Sequence, residues 1–139
     1  DPIHWSDHVA WFTSRIHNSK TSIYILEADG LAVGQVRLEL TNELGQWRGV
    51  AVLDYSLDEV VRGRGLAGPM VCSALQAFRT HVNVPVVADV RMENVASLRT
   101  LTKIGFTHHT NDPQTGIKRL VLESSQDCVS NAPYIRIGE

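Results

Sequence analysis

A glycine-rich stretch in the middle of the chain constrains its fold more than any other feature. Residues 62–68 read Arg-Gly-Arg-Gly-Leu-Ala-Gly, after an apolar run at 50–57 and before a helical pattern at 66–80. Glycines let a backbone approach a ligand closely, and the amides of a helix N-terminus attract anions. Arg62 and Arg64 add charges that can pair with phosphate oxygens. The stretch predicts a strand, a turn and a helix that together hold a phosphate group; a plain surface turn is the alternative.

The glycines by themselves do not identify the ligand. Gly63, Gly65 and Gly68 fit the G-x-G-x-x-G dinucleotide pattern by letter, but the run before them does not read as the first strand of a βαβ unit. A nucleoside-triphosphate loop requires Lys-Ser or Lys-Thr after its last glycine, and neither follows Gly65. The rest of the chain must therefore decide between the readings.

The composition indicates one soluble domain. The chain has 139 residues, of which 43% are apolar and 20% charged. Its net charge of −2 provides no basic field for nucleic acid, and no apolar run reaches the roughly 20 residues that span a membrane. The two cysteines are too few for a disulfide framework, and Cys72 is expected to be a buried free thiol in a helix. These features favour a reducing, cytoplasmic setting without nucleic-acid or membrane partners.

Hydrophobic periodicity predicts an α/β fold, a mixed sheet flanked by helices. The strand after the long helix should run parallel to the strand before it, because a helical crossover joins them. The predicted elements are a helix at 3–16, strands at 21–27, 32–40 and 47–57, a helix at 66–80, a strand at 84–92, a helix at 94–104, and hairpin strands at 106–110 and 117–123. Residues 134–137 are a short extra strand or a tail. The main domain is expected to span 1–123, with 124–139 as a C-terminal extension.

Two motifs in this order resemble the GCN5-related N-acetyltransferase (GNAT) family. The first is Arg62-x-x-Gly65-x-Ala67, which opens a helix after an antiparallel strand. The second is Asn94-x-x-Ser97 followed by Lys-Ile-Gly-Phe at 103–106, on a helix after a parallel strand. The resemblance implies a GNAT fold with a splayed parallel strand pair, acetyl-coenzyme A as co-substrate, acetyl transfer to a primary amine and no metal.

The resemblance also implies which residues bind the cofactor. Backbone amides from Arg64 to Gly68 hold the pyrophosphate, the backbone of Leu57 pairs with the pantetheine arm, and Asn94 and Ser97 face that arm near its sulfur. For Asn94 a helix N-cap and for Ser97 a solvated hydroxyl are the alternatives. The implied cofactor-binding residues are Leu57, Arg62, Arg64, Gly65, Leu66, Ala67, Gly68, Asn94 and Ser97.

The chain departs from the family at its usual catalytic tyrosine, because Leu101 stands at that position. Ser97, a bound water or Tyr55 is expected to protonate the leaving thiolate instead, although Tyr55 also reads as a packed strand aromatic. The candidates for the base that deprotonates the amine are Asp54, Glu39, Glu43 and His8.

A second departure is at the N-terminus, where the family's first strand and helix are not found before Ser6. The chain is therefore expected to lack its N-terminal portion and to leave residues 21–27 as an open sheet edge. A second copy in a homodimer or an upstream domain would cover that edge.

The acceptor is inferred from weaker similarities. Ser6, His8, Trp11 and Phe12, with the Val-Gly-Gln-Val-Arg run at 33–37, resemble GNAT members that acetylate amino sugars on nucleotide carriers. The second motif also resembles the N-terminal acetyltransferases of ribosomal proteins. An amino sugar or another small-molecule amine is the preferred acceptor. A protein N-terminus and a non-catalytic coenzyme A-binding module are the alternatives.

Overall fold

The computed structural model describes residues 9–16, 20–129 and 136–138. Two helices and eight strands make up these residues, together with a short 3₁₀ turn, Glu59–Val61. The strands are β1 (Val9–Ile16), β2 (Thr21–Ala28), β3 (Leu31–Thr41), β4 (Val50–Leu57), β5 (Val86–Arg91), β6 (Thr107–Asp112), β7 (Ile117–Leu122) and β8 (Arg136–Gly138); the helices are α1 (Ala67–Phe78) and α2 (Val95–Lys103). Neither described helix is long and apolar enough to cross a membrane.

The strands form one mixed sheet in the order β6-β7-β5-β4-β3-β2-β1-β8. Neighbours from β1 to β4 are antiparallel, β4 and β5 are parallel, and β5 to β7 to β6 is antiparallel again. The predicted mixed, mostly antiparallel sheet with a parallel pair, here β4 and β5, is thus confirmed. The strand at the C-terminus also exists and pairs with β1 in parallel.

The main core lies between the sheet and α1. Alternating residues of β2 and β3 face this core, as the period of two in their sequences predicts. Leu26 on β2 and Val36 and Leu38 on β3 are fully buried there, and Met70 and Leu75 of α1 pack on the same cluster. This packing fixes α1 against the strands, so the N-terminus of α1 sits at the end of β4.

The parallel pair separates soon after it forms. β4 pairs with β5 only at Ala51–Val86 and Val52–Val87. Beyond these pairs β4 stays with β3 as far as Leu57, while β5 stays with β7 as far as Arg91. The carboxyl halves of β4 and β5 therefore diverge and leave an opening in the middle of the sheet.

The predicted N-terminal helix at 3–16 is wrong where the structure describes it. Residues 9–16 form strand β1, which pairs with β2 from Val9–Ala28 to Ile16–Ser22. The segment is rich in β-branched and aromatic residues, and pairing with an available sheet edge outweighs its helical periodicity. Because β1 covers β2, the predicted open edge at 21–27 is wrong as well.

The prediction of a free thiol at Cys72 is also wrong. Cys72 on α1 forms a disulfide bond with Cys128, and their Cα atoms are 5.4 Å apart. The two cysteines are 56 residues apart in the chain, a separation that carries no recognisable spacing pattern. Disulfides are typical of oxidising surroundings, so the cytoplasmic location is not supported by this bond and stays a prediction.

Candidate active site

A cavity of about 900 Å³ opens where β4 and β5 diverge. One wall is the end of β4, the second is the glycine-rich loop with the first turn of α1, and the third is α2. The residues that line the cavity are Tyr55, Ser56, Leu57, Arg62, Gly63, Gly65, Leu66, Ala67, Gly68, Pro69, Asn94, Ala96, Ser97, Thr100, Lys103, Ile104 and Val129. The fold thus brings both sequence motifs to one place, although more than 20 residues separate them in the chain.

The loop between β4 and α1 depends on glycines for its shape. Gly63 and Gly65 have φ angles of +75° and +72°, a region that other L-residues rarely occupy. A Cβ atom at Gly65 would meet no atom of the described residues within 4 Å, so backbone conformation rather than crowding requires glycine there. Arg62 fixes the start of the loop, because its Nε donates a hydrogen bond to the carbonyl oxygen of Leu57 at 3.0 Å.

The first turn of α1 points uncapped amides at the cavity. Leu66 occupies the N-cap position, and no side chain there caps the helix. The amides of Ala67 and Gly68 have no partner within the helix, and the next residue, Pro69, has no amide to satisfy. The partial positive charge of a helix N-terminus therefore adds to Arg62 on this wall. This arrangement can hold a phosphate.

Close packing holds the loop wall against α2. A Cβ atom at Gly68 would lie only 3.2 Å from Cγ2 of Ile104, so a larger residue would push the two helices apart. Both residues line the cavity. The small residue at position 68 therefore sets the distance between the phosphate end of the cavity and α2.

The backbone at the end of β4 faces the opening. The amide of Asp58 donates to the carbonyl of Val33 on β3, which makes Leu57–Gly34 a non-hydrogen-bonded pair of the antiparallel ladder. The N–H and C=O of Leu57 consequently point away from β3 and towards the opening. The carbonyl already accepts the bond from Arg62, so the amide of Leu57 is the group that faces a ligand in the opening.

Tyr55 and Ser97 meet across the cavity. Their hydroxyl oxygens are 2.8 Å apart, and either can be the donor. Tyr55 is half-buried on the helix side of β4, where it packs against the main core, and Ser97 lies in the first turn of α2. Asn94 caps that helix, since its side-chain oxygen accepts a hydrogen bond from the Ser97 amide at 3.2 Å. The N-cap function that sequence reasoning held open for Asn94 is therefore present, and Asn94 lines the cavity as well.

Other predicted residues lie elsewhere. Arg64 lies between two lining glycines, but its side chain is exposed. Asp54 precedes Tyr55 in β4 and so faces the opposite side of the sheet, and Glu39 pairs with Arg37 at 2.8 Å. Glu43 lies in the β3–β4 loop, outside the cavity lining. His8 is outside the described residues, so its proposed role stays a prediction.

Sequence reasoning did not name eight of the lining residues as site residues: Ser56, Gly63, Pro69, Ala96, Thr100, Lys103, Ile104 and Val129. Lys103 contributes a second cation next to Ile104, and its position in the Lys-Ile-Gly-Phe signature could have drawn attention to it. Val129 belongs to a polar stretch near the C-terminus that reads as a loop, and no pattern in the sequence connects it with α2.

The fold agrees with several solved structures. YncA of Salmonella typhimurium, determined with its cofactor acetyl-coenzyme A, matches with a TM-score of 0.68 and 19% identity over 81% of this chain and 68% of that one. The spermidine/spermine N-acetyltransferase SpeG of Vibrio cholerae matches with 0.67 and 19% over 78% and 67%. The N-acetyltransferase PseH of Campylobacter jejuni, in complex with acetyl coenzyme A, matches with 0.60 and 15% over 78% and 71%. Identities this low establish the fold alone.

The sequence supplies the family assignment. No curated protein sequence matches the chain significantly. A family model described as the acetyltransferase (GNAT) domain matches residues 1–107, well over half of the chain. That match covers the glycine-rich loop and the second motif, which the structure places on two walls of one cavity. The chain therefore belongs to the GNAT family of acetyltransferases.

Proposed function

We propose that this protein transfers the acetyl group of acetyl-coenzyme A to the primary amine of a small molecule. The observation that carries the proposal is the cavity, in which a glycine-rich loop, an uncapped helix N-terminus and the Tyr55–Ser97 pair surround the opening between β4 and β5. YncA and PseH, which share the fold, were each determined with acetyl-coenzyme A.

The residues present fit this co-substrate. The positive φ angles at Gly63 and Gly65 and the uncapped amides of Ala67 and Gly68 make a cradle for a pyrophosphate, with Arg62 beside it. The Leu57 amide, which faces the opening, can donate to an amide carbonyl of the pantetheine arm as an added strand would. Leu57, Leu66 and Ile104 provide the apolar surface along which such an arm can lie.

Tyr55 and Ser97 are the proposed catalytic pair. Acetyl-coenzyme A supplies an activated thioester, whose C–S bond breaks as the amine nitrogen bonds to the carbonyl carbon. Tyr55 donates its hydroxyl proton to the leaving sulfur, and Ser97 stabilises the resulting phenolate by donating a hydrogen bond across the 2.8 Å contact. The proton lost by the amine then returns to Tyr55 through water, so the pair ends each cycle as it began. In this way Tyr55 takes the role of the tyrosine that α2 lacks at Leu101.

The acceptor is proposed to be an amino sugar or a comparable small amine. The sequence similarities at 6–12 and 33–37 favour an amino sugar, while SpeG, which shares the fold, is a spermidine/spermine N-acetyltransferase. A protein N-terminus is the second candidate, because the Asn94-x-x-Ser97 motif also resembles ribosomal-protein acetyltransferases.

A turnover assay tests the proposal. The release of free coenzyme A thiol would be followed with amino sugars carried on nucleotides, with spermidine and with short peptides that have a free N-terminus. We expect release that depends on one class of amine, and acetylation of that amine by mass spectrometry. Turnover with peptides alone would mean that the acceptor is a protein N-terminus and not a small molecule. Tight binding of acetyl-coenzyme A without turnover of any amine would mean that the protein binds the cofactor without catalysing transfer.

A further inference from the structure

The segment after β7, residues 123–129, runs along the ends of both helices and will be called the strap. Arg79, the residue that follows α1, fastens its first half. Its guanidinium donates to the backbone carbonyls of Glu123 and Gln126 on the strap, and to those of Leu122 and Val84 beside it. Five donors in a rigid fork suit Arg to such a cluster of carbonyls.

The charge of Arg79 is partly removed from water at this site. Burial lowers the pKa of Arg79, and the Asp127 carboxylate on the strap opposes that effect by attraction. An arginine keeps its charge even so. The first half of the strap is therefore held by charge-assisted hydrogen bonds that do not depend on pH in the physiological range.

The second half of the strap is fastened by a covalent bond. Cys128 is joined to Cys72, which lies on the buried side of α1 with only 3% of its surface exposed. The backbone of Asp127 lies against the end of α2, since its carbonyl oxygen is 3.5 Å from where a Cβ of Gly105 would be. One residue beyond the disulfide, the amide of Val129 donates to the carbonyl of Ile104 at 3.0 Å.

The strap reaches the cavity at Val129, and the chain continues beyond it to β8, which pairs with β1. Val129 and Ile104 both line the cavity, next to Gly68 and Lys103 at the phosphate end. Val129 is 59% exposed, so burial of its side chain does little to hold it in place. Among the described contacts between Gln126 and β8, those that hold Val129 are the disulfide of the preceding residue and the hydrogen bond to Ile104. The bond between Cys72 and Cys128 thus fixes one part of the cavity wall.

We infer that the Cys72–Cys128 disulfide is a redox control on the cavity, such that reduction releases the end of the strap and weakens the binding of acetyl-coenzyme A. The inference rests on the proposed function of the cavity. Reduction breaks the S–S bond and forms two S–H groups. Two thiol molecules supply the two electrons and two protons and become a disulfide; a phosphine supplies the two electrons and becomes the phosphine oxide, while water supplies the protons and the oxygen. Cys128 and Val129 can then move away from α2, because the Arg79 contacts end at Gln126 and the pairing of β8 with β1 begins only at Arg136. The cavity wall at Ile104 then loses its contact with Val129.

Coupling of this kind is reciprocal. If the oxidised protein binds the ligand more tightly, the bound ligand must make the disulfide harder to reduce by the same factor. Typical couplings change an affinity by about 5- to 150-fold. The strap forms only one side of the cavity, so we expect the low end of that range, about fivefold weaker binding after reduction.

The test is a calorimetric titration of acetyl-coenzyme A into the oxidised chain and into the chain reduced by a phosphine. Acetyl-coenzyme A is the probe because its sulfur is acylated and cannot itself reduce the disulfide. Cys128→Ala is the matched variant, since it removes the bond while Cys72 keeps its buried place. We expect reduced wild type and C128A to bind about fivefold more weakly than oxidised wild type, and the phosphine to have no effect on C128A.

A second measurement does not depend on the ligand. Hydrogen exchange at the Val129 amide, which is bonded to Ile104 in the oxidised structure, should become at least about tenfold faster after reduction. Equal affinities for the oxidised and reduced chains would overturn the inference and leave the proposed function intact. If neither form binds acetyl-coenzyme A, the proposed function is wrong. If the exchange rate at Val129 is also unchanged by reduction, the claim that the disulfide holds the end of the strap is wrong as well. Circular dichroism of C128A establishes that the variant is folded.

Discussion

Replacing Tyr55 by phenylalanine removes one oxygen atom from the cavity and leaves the ring in the core. Among the described residues, that oxygen has one hydrogen-bond partner, the Ser97 hydroxyl at 2.8 Å. A hydrogen bond between neutral groups contributes about 0.5–1.5 kcal/mol, and this one is only half-buried, so the loss of stability should be about 1 kcal/mol or less. If the hydroxyl only holds α2 against β4, activity should fall by no more than about tenfold.

A proton donor contributes far more. General acids accelerate reactions by about 10²- to 10⁴-fold, which corresponds to about 2.7–5.4 kcal/mol of transition-state stabilisation. We therefore expect Tyr55→Phe to lower kcat at least about 100-fold, with little change in KM for acetyl-coenzyme A. Ser97→Ala should lower kcat by about 10- to 100-fold, because it removes the hydrogen bond to the phenolate and leaves the proton donor in place.

The assay is steady-state release of free coenzyme A with the amine that the turnover screen identifies. Tyr24→Phe is the matched control, since Tyr24 is buried in β2 outside the cavity lining and the same atom is removed. A kcat for Tyr55→Phe within about tenfold of the control would refute Tyr55 as the acid. A large effect on KM alone would assign the hydroxyl to binding.

Three further predictions concern stability. The disulfide closes a loop of 56 residues, so Cys128→Ala should lower the free energy of unfolding by about 4 kcal/mol in a urea titration; a loss below about 1 kcal/mol would contradict the stabilising role. Burial raises the pKa of Tyr24 above its ordinary 10.0, so the unfolded chain loses this proton first and the free energy of unfolding should fall as the pH rises past about 10. Tyr24→Phe should flatten that decline, and an unchanged pH profile of stability would contradict the assignment to Tyr24. Arg79→Met should lower the free energy of unfolding by about 2–3 kcal/mol, because four backbone carbonyls lose their donor. The control Arg91→Met, which breaks the exposed ion pair with Glu93, should leave the urea midpoint unchanged. Equal effects of the two variants would refute the role of Arg79.

Local sequence patterns predicted those parts of the fold that local physics controls. Glycines at positive φ, the strand alternation of β2 and β3 and the Asn94 cap each depend on a few neighbouring residues. For this reason the order from β2 to β7 and the mixed sheet were predictable. The convergence of the two motifs followed from the order of elements, because a parallel crossover places both helix starts at the same end of β4 and β5.

Long-range contacts were beyond the reach of such patterns. Residues 9–16 carry a helical period, and the edge of β2 that is available for pairing, which their sequence does not reveal, is a main reason why they form a strand. Tyr55 and Ser97 are 42 residues apart, and their hydrogen bond depends on how α2 sits over the opening. The pairing of Cys128 with Cys72 also depends on long-range contacts, because Cys128 lies in a polar stretch whose path is set by the hydrogen bonds from Arg79 to its carbonyls. Sequence reasoning therefore named nine of the 17 lining residues and missed the others, Lys103 and Val129 among them.

The central claim, that the cavity between β4 and β5 binds acetyl-coenzyme A, is tested most directly by calorimetry on two matched glycine variants. Gly65 and Gly116 have nearly equal φ angles, +72° and +73°, and a Cβ at either would meet nothing within 4 Å in the part of the chain that the structure describes. Leucine at either site should cost a similar amount of stability, about 1–2 kcal/mol. The account predicts that wild type and Gly116→Leu bind acetyl-coenzyme A one to one, and that Gly65→Leu binds at least about tenfold more weakly. No binding by wild type, or equal affinities for the two variants, would contradict it.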